Sequence, residues 1–286
     1  MRQRTAKTIL VALPDIRNSF FSSILDAVER EATNRGYGVL VANLFLAKTP
    51  AQRLQDYMLS NRADGLLLLD GSLDLPSLQA LVRPPNSVPL VVACEEIPNS
   101  GFHTVLTDNL TAAERATRHL MDLGHQRIAH LLGPENNAVA RDRLAGYANA
   151  LTRAGLAVQQ QWLFRGNFEM ESGFAAAAHF MSLSDRPTAV FAANDESAIG
   201  FLSGLRQHGL ICPRDISMIG FDDLGVAAHY TPPLTTMRQP RELLGRMAAE
   251  MLIDVLEDAE HRRGPMRIVL NSELIVREST AHLQLR

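Results

Sequence analysis

Residues able to make directional contacts recur just after short apolar runs that read as strands. Asn18-Ser19-Phe20-Phe21 follows Thr8–Leu13, Cys94-Glu95-Glu96 follows Val88–Ala93, Asn136 to Arg143 follows Ile128–Leu132, and Gly166-Asn167-Phe168 follows Trp162–Arg165. Asn194-Asp195, Asp222-Asp223 and Gln239 come after Thr188–Ala193, Ile216–Phe221 and Leu234–Met237. In an open parallel sheet the ligand crevice lies outside the carboxyl ends of the strands, so this placement marks a cleft. The residue types point to recognition: rings that stack, a planar arginine fork that holds two oxygens, carboxylates that accept, and amides that do both.

Each of these residues also has a plainer reading. Phe20 and Phe21 open an apolar helical pattern and can both be core anchors. Arg143 can lie on a solvated helix face, as Arg141 two residues earlier suggests. Asp222 can cap a helix, Asn194 and Gln239 can cap helices or fasten a hinge, and Asp108 reads as a helix cap. Phe168 sits in the polar run Gly166-Asn167-Phe168-Glu169, where a core aromatic is less expected.

The elements that must position these groups alternate along the whole chain, as in a mostly parallel sheet covered on both faces. Asn18 or Ser19 can cap a helix carrying Phe20, Phe21, Ile24, Leu25, Val28 and Ala32 until Gly36 stops it. Tyr37–Ala42 is the next strand, Pro50 opens a helix through Asn61, Gly65–Leu69 is a strand, Asp74–Val82 a helix and His103–Thr107 a strand. A helix over Leu110–Leu123 then restarts the alternation, with further helices near Arg141–Ala154, Glu171–Met181 and Glu196–His208. Tyr230-Thr231-Pro232-Pro233 cannot continue a helix, and Pro240 starts a long one through Leu256. With 286 residues the chain exceeds what one core usually serves, so two lobes are expected.

Several function classes drop out. Gly36-Tyr37-Gly38 lacks the third glycine of a dinucleotide fingerprint, no phosphate-binding loop occurs, and Ser203 lacks the setting of a nucleophile elbow. No spacing nominates an acid and a base, so the chain does not read as an enzyme. Two cysteines, Cys94 and Cys212, and nine scattered histidines give neither a disulfide framework nor a metal set, so reduced thiols, no metal and no cofactor are expected. The formal net charge of -3 supplies no field for holding nucleic acid. Apolar runs such as Ile9–Leu13 fall far below the roughly 20 residues a membrane span needs. The basic start of the chain leads straight into a strand without the apolar core of a secretory signal, and a cytoplasmic location is expected.

A set of ordered motifs makes the resemblance specific. Pro14-Asp15-x-x-Asn18-Ser19-Phe20-Phe21, Asp64-Gly65-Leu66-Leu67, Gly124-His125-x-Arg127-Ile128, Arg143-Leu144-x-Gly146-Tyr147, Asn194-Asp195-x-x-Ala198-x-Gly200, Ser217-x-Ile219-Gly220-Phe221-Asp222 and Pro233-Leu234-Thr235-Thr236-x-x-Gln239-Pro240 resemble the family of the lactose and galactose repressors. Pro14-Asp15, Asp108-Asn109-Leu110-Thr111-Ala112-Ala113, Leu132-Gly133-Pro134-Glu135 and Ser272-Glu273-Leu274-Ile275-Val276-Arg277 are most similar to its cytidine-responsive members. The resemblance implies an α/β fold of the periplasmic-binding-protein-like type I: two Rossmann-like lobes with parallel sheets, joined by a three-crossover hinge. Residues 1–108 with about 240–266 would form the N-terminal lobe, and 109–239 with about 267–286 the C-terminal lobe. The implied function is an effector-binding and dimerisation domain of a repressor that closes on a small ligand, a nucleoside or a sugar. Its implied ligand-binding residues are Phe20, Phe21, Glu95, Arg143, Phe168, Asn194, Asp222 and Gln239. Family members reach operator DNA through an amino-terminal helix-turn-helix whose recognition helix enters the major groove. The chain opens where the family's hinge meets the first strand, so it reads as a sensor domain without that DNA-binding part. A homodimer with no membrane contact is the implied assembly.

One departure bears on the ligand. Sugar-binding relatives often carry Asp-Arg after the strand matched by Leu90–Ala93, whereas this chain has Cys94-Glu95. A carboxylate in place of a cation suits a ligand that presents donors, such as the amino group and hydroxyls of cytidine. A transporter's solute-binding protein would show the same fold and cleft, and an enzyme acting on a nucleoside or sugar is the third class, disfavoured by the missing nucleophile and phosphate loop.

Overall fold

The computed structural model describes residues 6–45, 49–60, 62–82, 88–257 and 264–284. The chain divides into two compact units and passes between them three times, after Thr107, Gln239 and Leu270.

The first unit runs to Thr107 and takes in Pro240–Leu270. Its strands are β1 (Thr8–Leu13), β2 (Gly38–Asn43), β3 (Gly65–Leu68), β4 (Leu90–Cys94), β5 (His103–Thr107) and β11 (Arg267–Leu270). They pair in the order β11-β5-β4-β3-β1-β2, every described pairing parallel. Helices α1 (Phe20–Asn34), α2 (Pro50–Leu59), α3 (Leu75–Val82) and α9 (Arg241–Glu257) cover the two faces. Alternation along a strand decides which core each side chain joins. Ile9, Val11 and Leu13 pack with α1 and α9, while Leu10 and Ala12 pack with α2 and α3. Burial on both faces explains why β1, β3 and β4 are continuous apolar runs.

The second unit, Asp108–Gln239 with Asn271–Arg286, repeats the plan. Its strands are β6 (Ile128–Leu131), β7 (Leu163–Phe164), β8 (Ala189–Ala192), β9 (Ser217–Asp222), β10 (Thr235–Arg238) and β12 (Glu273–Ile275). The order is β12-β10-β9-β8-β6-β7, parallel except for β12, which runs antiparallel to β10. Helices α6 (Met170–Ser182) and α7 (Asp195–Gln207) lie over one face, α4 (Asn109–Asp122) and α5 (Ala138–Arg153) over the other, with α8 (Gly225–His229) a single short turn. In both units the first strand has its successor on one side and the third on the other, so strand order reverses at β1/β3 and at β6/β8. Those reversals open crevices at the carboxyl ends.

Differences from the sequence reading have local causes. Residues 267–270, assigned above to the C-terminal lobe, form β11 and pair with β5 of the first unit, so the crossing falls after Leu270. Helix α5 starts at Ala138, three residues before Arg141, because the Asn137 side chain accepts the Ala140 amide at 2.9 Å. Helix α2 ends at Leu59, and Asn61, its expected end, lies outside the described residues.

Candidate functional site

In the first unit, β1 delivers the chain to the turn before α1, where the Asn18 side chain accepts the Phe20 amide at 2.9 Å. Phe20 and Phe21 meet edge to face, ring centroids 5.1 Å apart. Phe21, 7% exposed, belongs to the core beneath α1 and α9, and Phe20 stays half-buried at its margin. The ring with accessible surface is therefore Phe20. Glu95 follows Cys94, whose φ of 72° puts a non-glycine residue in the left-handed region. A methyl group on Gly71 would sit 2.7 Å from both Cβ and Oε2 of Glu95, so the carboxylate lies directly over the backbone beyond β3. Only a glycine leaves that space.

The second unit brings together the other five residues. Arg143 projects from α5 and is 4% exposed. Its Nε donates to Asn109 Oδ1 at 3.0 Å, its Nη1 donates to the Ala193 carbonyl, and its Nη2 lies 3.7 Å from Asp222 Oδ1. The guanidinium stacks 3.7 Å from the Phe221 ring centroid and 5.7 Å from that of Phe168. A buried cation is tolerated only with such partners. Asp222 ends β9 and accepts from Gln239 Nε2 at 2.6 Å. Asn194 caps α7, accepting the Ser197 amide at 3.1 Å, and its Nδ2 donates to the Phe168 carbonyl at 2.8 Å. Phe168 is thus fixed through its backbone while its ring remains half-buried.

Backbone conformation marks the same places. Phe168, Asp222 and Asp223 have φ values of 71°, 115° and 55°. Residues held there keep the conformation only where their surroundings fix it, and such positions cluster at ligand sites. Asp223 is fastened by Arg238 at 2.7 Å and Arg277 at 2.6 Å. Burial pushes its carboxyl up, but the two guanidiniums outweigh that and hold it below the usual carboxylate range.

Three residues packed around these groups were not among the ligand-binding residues expected above: Asn109, Asp195 and Phe221. Each polar one is the second member of a doublet. Asp108 caps α4, accepting the Thr111 amide at 2.9 Å, which leaves Asn109 to face Arg143. Asn194 caps α7, which leaves Asp195 to face inward, fully buried. Since a helix start needs one capping side chain, the second polar residue of each pair was the available signal.

Within the second unit the arrangement offers a ring face in Phe168, a donor fork in Arg143, a carboxylate in Asp222 and the amides of Asn194 and Gln239, a set suited to holding a small polar ligand with a flat or diol-bearing surface. Among the described residues no group of histidine, cysteine, aspartate and glutamate is placed to hold a metal ion. No described helix is long and apolar enough to cross a membrane.

Two α/β units with parallel-dominated sheets and polar residues at the sheets' carboxyl ends define a fold of the periplasmic-binding type. Residues 6–274 match the family described as periplasmic binding proteins and sugar binding domain of LacI family. Over 283 residues the chain is 38% identical to the HTH-type transcriptional repressor CytR of Escherichia coli (strain K12), covering 99% of this chain and 82% of that protein. To the repressor PurR of Photobacterium profundum it is 33% identical, covering 99% and 84%. Two solved structures are similar throughout. A LacI family transcriptional regulator from Enterococcus faecium with bound ribose gives a TM-score of 0.88 at 28% identity, covering 97% of this chain and 100% of that one. The transcriptional regulator CelR in complex with cellobiose gives 0.87 at 32% identity, covering 98% and 86%. The chain belongs to the LacI family, as the effector-binding domain of a transcriptional repressor, and the curated relatives are repressors, not enzymes.

Proposed function

We propose that this domain senses a nucleoside, with cytidine the first candidate, and that binding modulates how its repressor holds operator DNA through a helix-turn-helix. The observation that carries the nucleoside reading is Glu95, a carboxylate packed on Gly71 where sugar-binding members often place a cation. An acceptor there matches an exocyclic amino group or ribose hydroxyls. Arg143, Asp222 and Gln239 would take the remaining polar edge, and Phe20 or Phe168 a ring face. Ligand that engages residues of both units favours their closed arrangement by its differential affinity for that state. The motif resemblance to cytidine-responsive members supports the same choice. Exposed Met170 and Phe174, one turn apart on α6, support a homodimer, and action on chromosomal operators implies a cytoplasmic location.

Calorimetric titration with cytidine, adenosine, ribose and cellobiose tests the reading. Cytidine binding more tightly than ribose supports it; tight binding of a sugar with no nucleoside binding overturns it. The sugar outcome is the second reading, favoured by the ribose-bound and cellobiose-bound neighbours.

A further inference from the structure

We infer that Asp195, which is not placed among the ligand-facing groups, positions Asp222 for the ligand by anchoring the turn that carries it to β10. The inference rests on the reading of Asp222 as a ligand-binding carboxylate.

Asp195 is the first residue of α7 and is fully buried. Its Oδ2 accepts the Leu224 amide at 2.8 Å, two residues past Asp222, and its Oδ1 accepts the Thr236 hydroxyl at 2.6 Å. The same Thr236 oxygen accepts the Asp223 amide at 3.4 Å. One carboxylate thus ties the start of α7, the turn after β9 and the middle of β10 together. The turn needs such a tie, because Asp222 and Asp223 both sit at positive φ, where side chains other than glycine's are held only by their surroundings. Beneath it, a methyl group on Gly220 would fall on Asp195 Oδ1, so glycine is what lets the carboxylate lie against β9. Asp223 is held separately by Arg238 and Arg277. Asp222 is left aimed at Gln239 and Arg143.

The charges agree with this division. Burial first, and the nearby Asp222 charge second, push the Asp195 acid well above the usual carboxylate range, with Asp223 adding to the same direction. Of the two carboxyls, it is Asp222 that faces the Arg143 cation, at 3.7 Å. An acid needed only for the helix dipole would not have to be buried, since Glu196 beside it already supplies a first-turn charge.

The test compares Asp195→Ala, Asp195→Asn and Thr236→Val in the full 286-residue chain. Amide hydrogen exchange is read without ligand, and cytidine affinity by calorimetry. Asp195→Ala and Thr236→Val should speed exchange over residues 222–225 by roughly tenfold, the worth of about one hydrogen bond, with β8 unchanged. Asp195→Asn keeps an acceptor for the Leu224 amide and should restore most of the protection. Cytidine affinity should fall by about tenfold in the first two variants and recover in the third. Unchanged exchange at 222–225, acceleration spread equally through the second unit, or local acceleration with unaltered affinity would each overturn the inference. If cytidine fails to bind the unaltered chain, the nucleoside reading falls and the exchange result alone decides whether Asp195 positions the turn.

Discussion

The two units share a strand-helix plan yet equip their sheet ends in opposite ways. The first presents an aromatic pair, half of it sunk in the core, and one carboxylate resting on glycine backbone. In the second, Arg143 donates to Asn109 and faces Asp222, Gln239 donates to Asp222, and Asn194 is tied to the Phe168 carbonyl. Preorganised polar groups discriminate strongly, because a ligand lacking the right partner leaves them unpaired. Aromatic surface is more tolerant. In the proposed function the second unit would therefore read polar pattern, and the first would supply stacking together with one selective acceptor, Glu95.

Breaking the network in the second unit should produce the largest effects. Asp222→Ala removes a carboxylate facing a buried guanidinium and should cost about 3–5 kcal/mol in urea unfolding while abolishing ligand binding. In the first unit, Phe21→Ala should cost a similar amount, about 3–5 kcal/mol, through the cavity it leaves, whereas Phe20→Ala should weaken ligand binding with much smaller loss of stability. Equal effects of the two phenylalanine variants on stability would erase the distinction drawn between the rings.

The second unit holds a buried histidine from which a pH effect follows. His130 is fully buried, stacked between Tyr147 and Phe191 with Nδ1 2.8 Å from the Phe191 carbonyl, and burial holds its pKa down at about 4. Above the ordinary value of 6.5 the ring is neutral folded and unfolded, so it adds no pH dependence there. Between 6.5 and about 4 only the unfolded chain takes the proton, and stability falls by about 3 kcal/mol as pH drops through that window. Urea unfolding at several pH values measures this, and His130→Phe should remove that portion of the slope.

Smaller effects sharpen the contrast. Glu95→Gln keeps the shape but loses the charge, and should lower cytidine affinity by about tenfold while leaving ribose affinity nearly unchanged. Asp108→Ala should cost only about 1 kcal/mol, the loss of a helix cap, with affinity unaltered. Asn109→Ala, one residue on, should weaken binding because Arg143 loses the acceptor for Nε.

Strand and helix succession was legible because both faces of each sheet are covered, which turns strands such as Ile9–Leu13 into continuous apolar runs. The clustering of polar residues at the carboxyl ends of the second sheet was legible too, since Arg143, Asn194, Asp222 and Gln239 all follow its apolar runs. The short strands β11 and β12 were not: their alternately exposed residues at sheet edges carry too little apolar signal. Periodicity could not divide Phe20 from Phe21, because adjacent residues at a helix start share one pattern while packing decides which is buried. Asp195 was visible beside Asn194, but what it binds was not, as its partners Leu224 and Thr236 lie 29 and 41 residues away in sequence.

The most direct measurement of the central claim is thermal unfolding of the 286-residue chain at rising concentrations of cytidine, ribose and cellobiose. A ligand bound only by the folded state raises Tm progressively with its concentration. The account expects cytidine to raise Tm more than either sugar at equal concentration, and the gain to shrink in Glu95→Gln. A rise produced by cellobiose or ribose, with none from any nucleoside, would contradict it.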